Sequence, residues 1–275
     1  MRTGSTGGCV GRTVGFTKNS KGKGDRGPRR GRIAVVGIGP GDPEDLSLRA
    51  YRLLREADVV IGYHTYLRLL EGVLSPAQHR EGSGMRQEVE RAQRALELAG
   101  DGCRVAVVSS GDPGVYGMAG LVLEVLLSSG LHGEIDFQVV PGITVALAAA
   151  GLVGAPLMND FAVISLSDIM TPWEVILRRI EAAAAGDFVV VFYNPKSRRR
   201  VTQIAEAQKL LLRYRSPATP VAIITNAGRT GEQVVLSDLA HFTDMEINMS
   251  SLVIVGNSQT YVREGYMVTP RGYQL

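Results

Sequence analysis

The chain has 275 residues, of which 45% are hydrophobic and 21% are charged, a balance typical of globular proteins. Its net charge is +3, but residues 1–31 hold eight basic residues and one acid, a net +7, which leaves −4 for the rest. A mildly acidic body argues against nucleic-acid binding. No apolar run approaches the roughly 18 residues of a membrane span. We therefore expect neither nucleic acid nor a membrane as a partner.

Cysteine and histidine usage predicts neither a disulfide framework nor a metal site. The two cysteines, Cys9 and Cys103, are too few for either. The four histidines are scattered along the chain without ligand spacing. We expect no intrinsic metal and, because the pattern suits a reducing compartment, a cytoplasmic location.

The segment 1–31 is rich in Gly, Ser, Thr, Lys and Arg and poor in apolar residues. It lacks the apolar core of a secretory signal. Its arginine-rich, acid-poor composition resembles that of a transit peptide, but the amphipathic helical pattern is missing. We predict a disordered basic tail.

Beyond the tail, strand-sized apolar runs alternate with helical patterns. The run at 33–38 is β-branched and ends in glycines, as buried strands do, whereas 44–57 places its apolar residues on one helical face. Further strands are predicted at 58–61, 104–109, 135–140, 161–166, 187–193, 220–225, 233–236 and 252–255. Further helices are predicted at 86–99, 116–129, 143–151, 172–185 and 197–213. This alternation predicts an α/β fold, with one domain at 32–141 and a second at 142–275.

The first loop that could carry chemistry is GIGPGDP at 37–43, between a strand and a helix. Its glycines would let a ligand approach the backbone. The spacing is not the G-x-G-x-x-G of dinucleotide sites, and Pro40 lacks the amide that a pyrophosphate would need. A structural tight turn and a different small cofactor both stay open.

The second loop, SSGDPGVYG at 109–117, follows a strand at the sheet edge where α/β proteins bind ligands. Asp112 could close a turn there, or it could hold ribose or ammonium groups of a cofactor. In the third loop, VPGITVA at 140–146, Thr144 could simply cap the following helix.

Two further loops, FYNP at 192–195 and TNAGRTGE at 225–232, also lie at strand ends. Four of the five loops close a strand, so a single crevice could collect them all.

Together these loops resemble the motifs of the tetrapyrrole methyltransferases, because GIGPGD, SSGDPGVYGMA and VPGIT match in order and approximate spacing. The resemblance covers about residues 32–270. It implies two α/β domains with a cofactor crevice between them, S-adenosylmethionine as the cofactor, a small-molecule corrin precursor as the substrate, and a homodimer. The cofactor contacts it implies are Pro40, Ser110, Gly111, Asp112, Val115, Tyr116, Thr144, Val145, Tyr193, Asn226 and Ala227.

Within that family, the runs PLMNDFAVISLSD, TPW, FYNP and TNAGRTGE are similar to members that methylate carbon 17 of precorrin-3B and contract the macrocycle, a step of cobalamin biosynthesis. Members acting on the cobalt-containing substrate look nearly the same. One alternative is another methyltransferase of this fold, acting on a different corrin carbon, on uroporphyrinogen or on ribosomal RNA. An alternative of a different class is a non-catalytic nucleotide-binding module, against which five loops at one sheet edge argue.

Methyl transfer from this cofactor mainly requires orientation, whereas ring contraction also requires proton transfer. Asp112 and Glu88 are the predicted catalytic acid–base residues, and Asp160 and Tyr116 are further candidates. Glu88 could equally be a solvated residue on the exposed face of its helix, without a catalytic role.

A substrate with many carboxylates calls for arginines in the crevice. The predicted substrate-binding residues are Arg86, Arg198 and Arg229. The arginines at 198–200 cannot all share one helical face, so at most one or two of them would reach the substrate, and a solvated helix start is the alternative.

Overall fold

The computed structural model describes residues 30–274, and the first half of this range is a parallel sheet with flanking helices. The strands are β1 (Arg32–Gly37), β2 (Val59–Tyr63), β3 (His79–Ser83), β4 (Arg104–Ser109) and β5 (Asp136–Val140). The helices are α1 (Leu48–Glu56), α2 (His64–Leu69), α3 (Glu88–Gly100) and α4 (Ala119–Ser129). The strand order is β3-β2-β4-β1-β5 and every pairing is parallel, so the loops after β1, β4 and β5 leave from the same edge.

The second half contains a mixed sheet and a small third sheet. Its helices are α5 (Val145–Val153), α6 (Trp173–Ala185) and α7 (Gln203–Leu211). Its strands are β6 (Gly154–Ala155), β7 (Phe161–Ser165), β8 (Val189–Tyr193), β9 (Pro220–Thr225), β10 (Gln233–Asp238), β11 (Ser251–Val255), β12 (Tyr261–Arg263) and β13 (Tyr266–Val268). The mixed sheet has the order β10-β9-β11-β8-β7, in which only β7 and β8 pair in parallel, and the third sheet has the order β12-β13-β6.

Both five-stranded sheets are covered on their two faces, which explains why their strands read as apolar runs without alternation. Residues 33 and 35 of β1 pack on one side with α3 and α4, whereas residues 34 and 36 pack on the other side with α1. The mixed sheet likewise packs α6 and α7 on one face and α5 on the other. The predicted α/β fold is confirmed.

Two helices begin later than the sequence pattern predicts, because side chains hold the preceding residues in turns. The helix predicted from 44 begins at Leu48, where the Ser47 hydroxyl caps it by accepting the amide of Ala50 at 3.1 Å. The helix predicted from 197 begins at Gln203. There the Ser197 hydroxyl accepts the Arg200 amide at 3.1 Å, and the residues between them form a loop.

The sequence patterns also missed α2, β3 and the third sheet. Strand β3 is a polar edge strand that pairs only with β2, so it carries no apolar run. Helix α2 has six residues and follows β2 without a linker, too short for a helical period to show. The predicted disordered tail, with Cys9, lies almost wholly in residues 1–29, outside the described residues.

Candidate active site

Three loops of the parallel sheet approach each other at glycines. A Cβ atom on Gly37 would lie 2.6 Å from the Gly142 nitrogen and 2.7 Å from the Gly111 oxygen, distances that only glycine allows. Gly39 and Gly111 exchange backbone hydrogen bonds of 3.2 and 2.8 Å, which join the first loop to the second. The ends of β1, β4 and β5 therefore form one backbone cradle, whose floor has no side chains.

Asp112 connects two of these loops through its carboxylate. One oxygen accepts the Gly114 amide at 2.8 Å within the second loop, and the other accepts the Gly142 amide at 3.1 Å in the third loop. Hydrogen bonds from backbone amides to a carboxylate are charge-assisted and stronger than neutral ones. The first effect of Asp112 is thus to fix the shape of the cradle.

Arg229 crosses from the second half to the first. Its Nε donates to the Pro40 carbonyl at 2.6 Å and its Nη2 donates to the Ser110 hydroxyl at 2.7 Å. The neighbouring Gly228 packs so closely on Pro40 that a Cβ there would lie 2.8 Å from the proline ring. The predicted cofactor positions Pro40 and Ser110 are therefore held by a side chain that the sequence had indicated for substrate.

Tyr116 also connects the two halves, in this case from the first half to the second. Its hydroxyl donates to the Val163 carbonyl at 3.1 Å and accepts the Ser165 amide at 3.0 Å. Both groups lie on the open edge of β7, which pairs only with β8. Tyr116 has a φ of +52°, a conformation that costs free energy for a bulky residue, and these two hydrogen bonds help to hold it.

Tyr193, at the end of β8, joins the third loop to the mixed sheet. Its hydroxyl accepts the Ala146 amide at 3.0 Å and lies 2.5 Å from the Thr144 hydroxyl, at the start of α5. Its ring is 5.4 Å from that of Tyr116. Burial is the largest cause of a raised pKa for Tyr193, so its hydroxyl is neutral at physiological pH.

Asn226 and Arg198 lie along a cleft of about 470 Å³ on the second half. Asn226 has a φ of +55°, and its amide donates to the Ser250 carbonyl at 3.1 Å. The other lining residues are Lys196, Ser197, Ile247, Asn248, Met249 and Ser250. A predicted cofactor contact and a predicted substrate contact thus share one opening.

The remaining predicted residues divide into two groups. Val115 and Val145 are half-buried in the second and third loops, and Ala227 is buried beside Asn226. Arg86 and Glu88 are exposed after β3, where a Glu88 oxygen accepts the Arg86 amide at 3.2 Å and neither side chain bonds to the cradle. The structure therefore brings the predicted cofactor positions together and leaves these two at the rim.

The sequence had missed Arg91 on α3, a buried guanidinium that donates to the Ser83 hydroxyl and the Gly84 carbonyl near this rim. Arg91 lies between apolar positions of a predicted helix, so its place on the buried face could have been noticed.

None of the helices within residues 30–274 is long and apolar enough to cross a membrane. In the same range, no group of three or more His, Cys, Asp or Glu side chains could hold a metal ion.

Glycine loops at the strand ends of the parallel sheet, bridged by Arg229 from the second half, give the geometry of an α/β ligand-binding protein. The model of the Tetrapyrrole (Corrin/Porphyrin) Methylases matches residues 32–243, and the chain belongs to this family.

Two relatives extend the family assignment. A cobalt-factor III methyltransferase of Priestia megaterium is 51% identical over 247 residues, which are 89% of this chain and 46% of that protein. A probable cobalt-factor III C(17)-methyltransferase of Salmonella typhimurium is 47% identical over 243 residues, 88% of this chain and 100% of that protein. The chain thus spans about half of the first relative and all of the second.

Two solved structures are similar in fold. The methyltransferase CobJ has a TM-score of 0.83 at 34% identity, covering 87% of this chain and 100% of that one. Uroporphyrin-III C-methyl transferase of Thermus thermophilus, in complex with S-adenosyl homocysteine, has a TM-score of 0.63 at 30% identity. The match covers 82% of this chain and 92% of that one. The use of S-adenosylmethionine, the parent of that ligand, is a property of this family.

The substitution Gly142→Ala tests the close approach of the cradle loops. The new methyl group would lie 2.8 Å from the Gly37 carbonyl carbon, so the loops must separate. We expect the free energy of unfolding in urea to fall by about 1–3 kcal/mol, as for an overpacked site. Gly151→Ala, in open space on α5, is the matched control and should be neutral or stabilising. Equal unfolding curves for the two variants would contradict the close approach.

Proposed function

We propose that this chain transfers a methyl group from S-adenosylmethionine to carbon 17 of a corrin precursor, with ring contraction, in cobalamin biosynthesis. The similarity to the Salmonella relative carries the proposal, because it runs through that protein's whole length at 47% identity. Cobalt-factor III is the proposed substrate, since both relatives described above carry it in their names. Precorrin-3B is the metal-free alternative. A cytoplasmic location, which the cysteine pattern suits, and a homodimer, which the family resemblance implies, are further proposals.

The cradle fits the cofactor. Its glycine floor leaves the backbone open to a ligand, and its rim combines Asp112, Tyr193 and the cleft beside Asn226. We propose the eleven cofactor contacts implied by the sequence as the binding residues. When bound, S-adenosylmethionine supplies an activated methyl group. The chain's own part is to orient that group toward the substrate and to exclude water.

We propose a domain boundary between residues 141 and 142. Helix α5 supports it, because Ala146 and Ala149 pack against β8 and β11 of the mixed sheet. The crevice then lies between the two domains, and hydrogen bonds of Arg229 and Tyr116 link its walls.

The two predicted acid–base residues differ in what their carboxylates already bind. Both oxygens of Asp112 accept backbone amides, so we propose that Asp112 mainly shapes the cofactor site. Only one Glu88 oxygen accepts a hydrogen bond within residues 30–274. We therefore propose Glu88 as the group that moves a proton during ring contraction.

An assay of methyl transfer tests the function directly. The protein is incubated with methyl-labelled S-adenosylmethionine and either cobalt-factor III or precorrin-3B, and the product is examined by mass spectrometry and NMR. We expect one added methyl group, at carbon 17, and more product from cobalt-factor III. Methylation of another carbon would favour a sister enzyme. Calorimetric binding of a nucleotide but not of S-adenosylhomocysteine would favour the non-catalytic module.

Amide substitutions separate the two carboxylates. Asp112→Asn replaces an acceptor with an NH₂ group, so we expect the affinity for S-adenosylhomocysteine to fall at least about tenfold. Glu88→Gln should leave that affinity unchanged and lower kcat by about 10²-fold or more. Glu90→Gln, exposed on the same helix, is the control. Wild-type turnover by Glu88→Gln would remove Glu88 from the chemistry.

The arginines can be tested as a neighbouring pair. Arg198 lines the cleft, whereas the adjacent Arg199 is exposed and does not line it. We expect Arg198→Gln to raise KM for the corrin substrate about tenfold, the loss of one charged hydrogen bond, with little change for Arg199→Gln. Equal KM values in the two variants would show that the cleft does not bind substrate carboxylates.

A further inference from the structure

Arg200 is a buried arginine at the end of the loop 194–200, which follows β8. It is 9% exposed, and its Nη2 donates to the Asn194 carbonyl at 3.3 Å. Its Nη1 lies 3.9 Å from an Asp168 carboxylate oxygen, whereas its Nε is buried without a hydrogen-bond partner within residues 30–274. A buried cation with an unpaired donor adds little to stability, because the cost of removing it from water offsets what its contacts gain. Its presence therefore calls for another explanation.

Arg200 closes this loop on itself at two points. Its side chain bonds the first residue of the loop through the Asn194 carbonyl. Its backbone bonds the middle of the loop, since the Arg200 carbonyl accepts the Ser197 amide at 2.9 Å and the Arg200 amide donates to the Ser197 hydroxyl at 3.1 Å. Asn194 is anchored in turn to β7, because its side-chain amide donates to the Ser165 hydroxyl at 3.0 Å. One buried residue thus ties the start and the middle of the loop to its end.

The same loop carries two cations to the cleft beside Asn226. Lys196 and Arg198 both line that cleft, and neither forms an ion pair with any of residues 30–274. No Asp or Glu is among the described residues that line the cleft, so an anion would meet no opposing charge there. Lys196 lies between Asn194 and Ser197, and Arg198 lies between Ser197 and Arg200. Each cation therefore belongs to a segment whose two ends Arg200 helps to hold.

We infer that Arg200 is a positioning residue, which holds Lys196 and Arg198 at the cleft so that they bind carboxylates of the corrin substrate. The inference rests on the proposed function, which brings a substrate with many carboxylates to this chain. A mobile loop and its side chains lose entropy when they bind a ligand, and a loop that is already closed loses less. Arg200 therefore strengthens substrate binding without contacting the substrate.

Arg200→Met tests the inference, because methionine replaces the guanidinium with an apolar chain. We expect KM for the corrin substrate to rise about threefold to tenfold, the cost of ordering one or two side chains. Neither kcat nor the calorimetric affinity for S-adenosylhomocysteine should change. The melting temperature should change little, since Asp168 is partly exposed and keeps the Gln203 amide as a donor at 3.0 Å.

A double-mutant cycle with Arg198→Gln separates positioning from an independent effect of Arg200. If Arg200 acts through the cations of its loop, KM of the double variant stays close to the larger of the two single effects, because a displaced loop has lost its main contact already. Effects that multiply would show that Arg200 acts independently of Arg198, and they would overturn the inference.

Arg215→Met is the matched control for the loss of a buried arginine. Arg215 is 7% exposed, its Nε is also buried without a partner among the described residues, and it donates to the Gly256 carbonyl at 2.7 Å. Gly256 follows β11, whereas Ser250, which lines the cleft, precedes that strand. We expect this variant to melt at a lower temperature and to keep the wild-type KM. An equal rise in KM would trace the effect to stability and overturn the inference.

Arg200→Lys adds a test by rescue. Lysine keeps the charge and one donor but cannot serve Asn194 and Asp168 together, so KM should lie between the values of the wild type and Arg200→Met. Should Arg200→Met fail to fold, a wild-type KM in Arg200→Lys would overturn the inference.

A wild-type KM in a folded Arg200→Met would also overturn it. So would a loss of affinity for S-adenosylhomocysteine as large as the rise in KM, because the effect would then pass through Ser165 to Tyr116 rather than through the cleft. None of these results would touch the proposed function, which fails only if the wild-type protein transfers no methyl group to either corrin precursor.

Discussion

The close approach of three loop backbones is the constraint on which the candidate site depends. Gly37 and Gly142 meet where any side chain would collide with a neighbouring main chain, and Gly111 beside them has a φ of +65°, which favours glycine. The glycine contacts alone would leave the loops free to separate, but the Asp112 carboxylate bonds the second loop to the third. A parallel sheet delivers these loops to one edge, and the glycines with one carboxylate turn that proximity into a fixed shape.

The contacts between the two halves explain why the site cannot belong to either half alone. Arg229 and Tyr116 reach across in opposite directions, and each of them satisfies polar backbone groups on the far side. Tyr116 is the more informative case, because its hydroxyl occupies the open edge of β7, whose unpaired groups would otherwise need water or another strand. The same contact holds a strained backbone, so loop shape and the joining of the halves are coupled.

The sequence predicted the parts of the molecule that depend on local pattern. Buried strands such as β1 and β4 appear as apolar runs, and the glycine loops after them were identified by their spacing. It could not predict partners set by tertiary contact. Arg229 was expected to bind substrate, yet its hydrogen bonds go to Pro40 and Ser110. Helix α2 could not be predicted because its six residues are too few to show a helical period, and Arg200 is buried in a loop where a helix was expected.

For the attraction of carboxylate ligands, the local placement of charge matters more in this protein than the net charge. The chain beyond the tail carries −4, yet Arg198 lines the cleft and Arg229 bonds to the first two loops, and neither has a carboxylate in ion-pair contact among residues 30–274. By contrast, Arg94 and Arg104 pair with Glu81 and Asp58. Surface arginines gain little from such pairing, whereas a cation held without a counter-ion retains its attraction for a ligand. A mildly acidic surface repels carboxylates generally, whereas a cation such as Arg198, held along a cleft without a counter-ion, attracts them there, as recognition of the proposed polycarboxylate substrate requires.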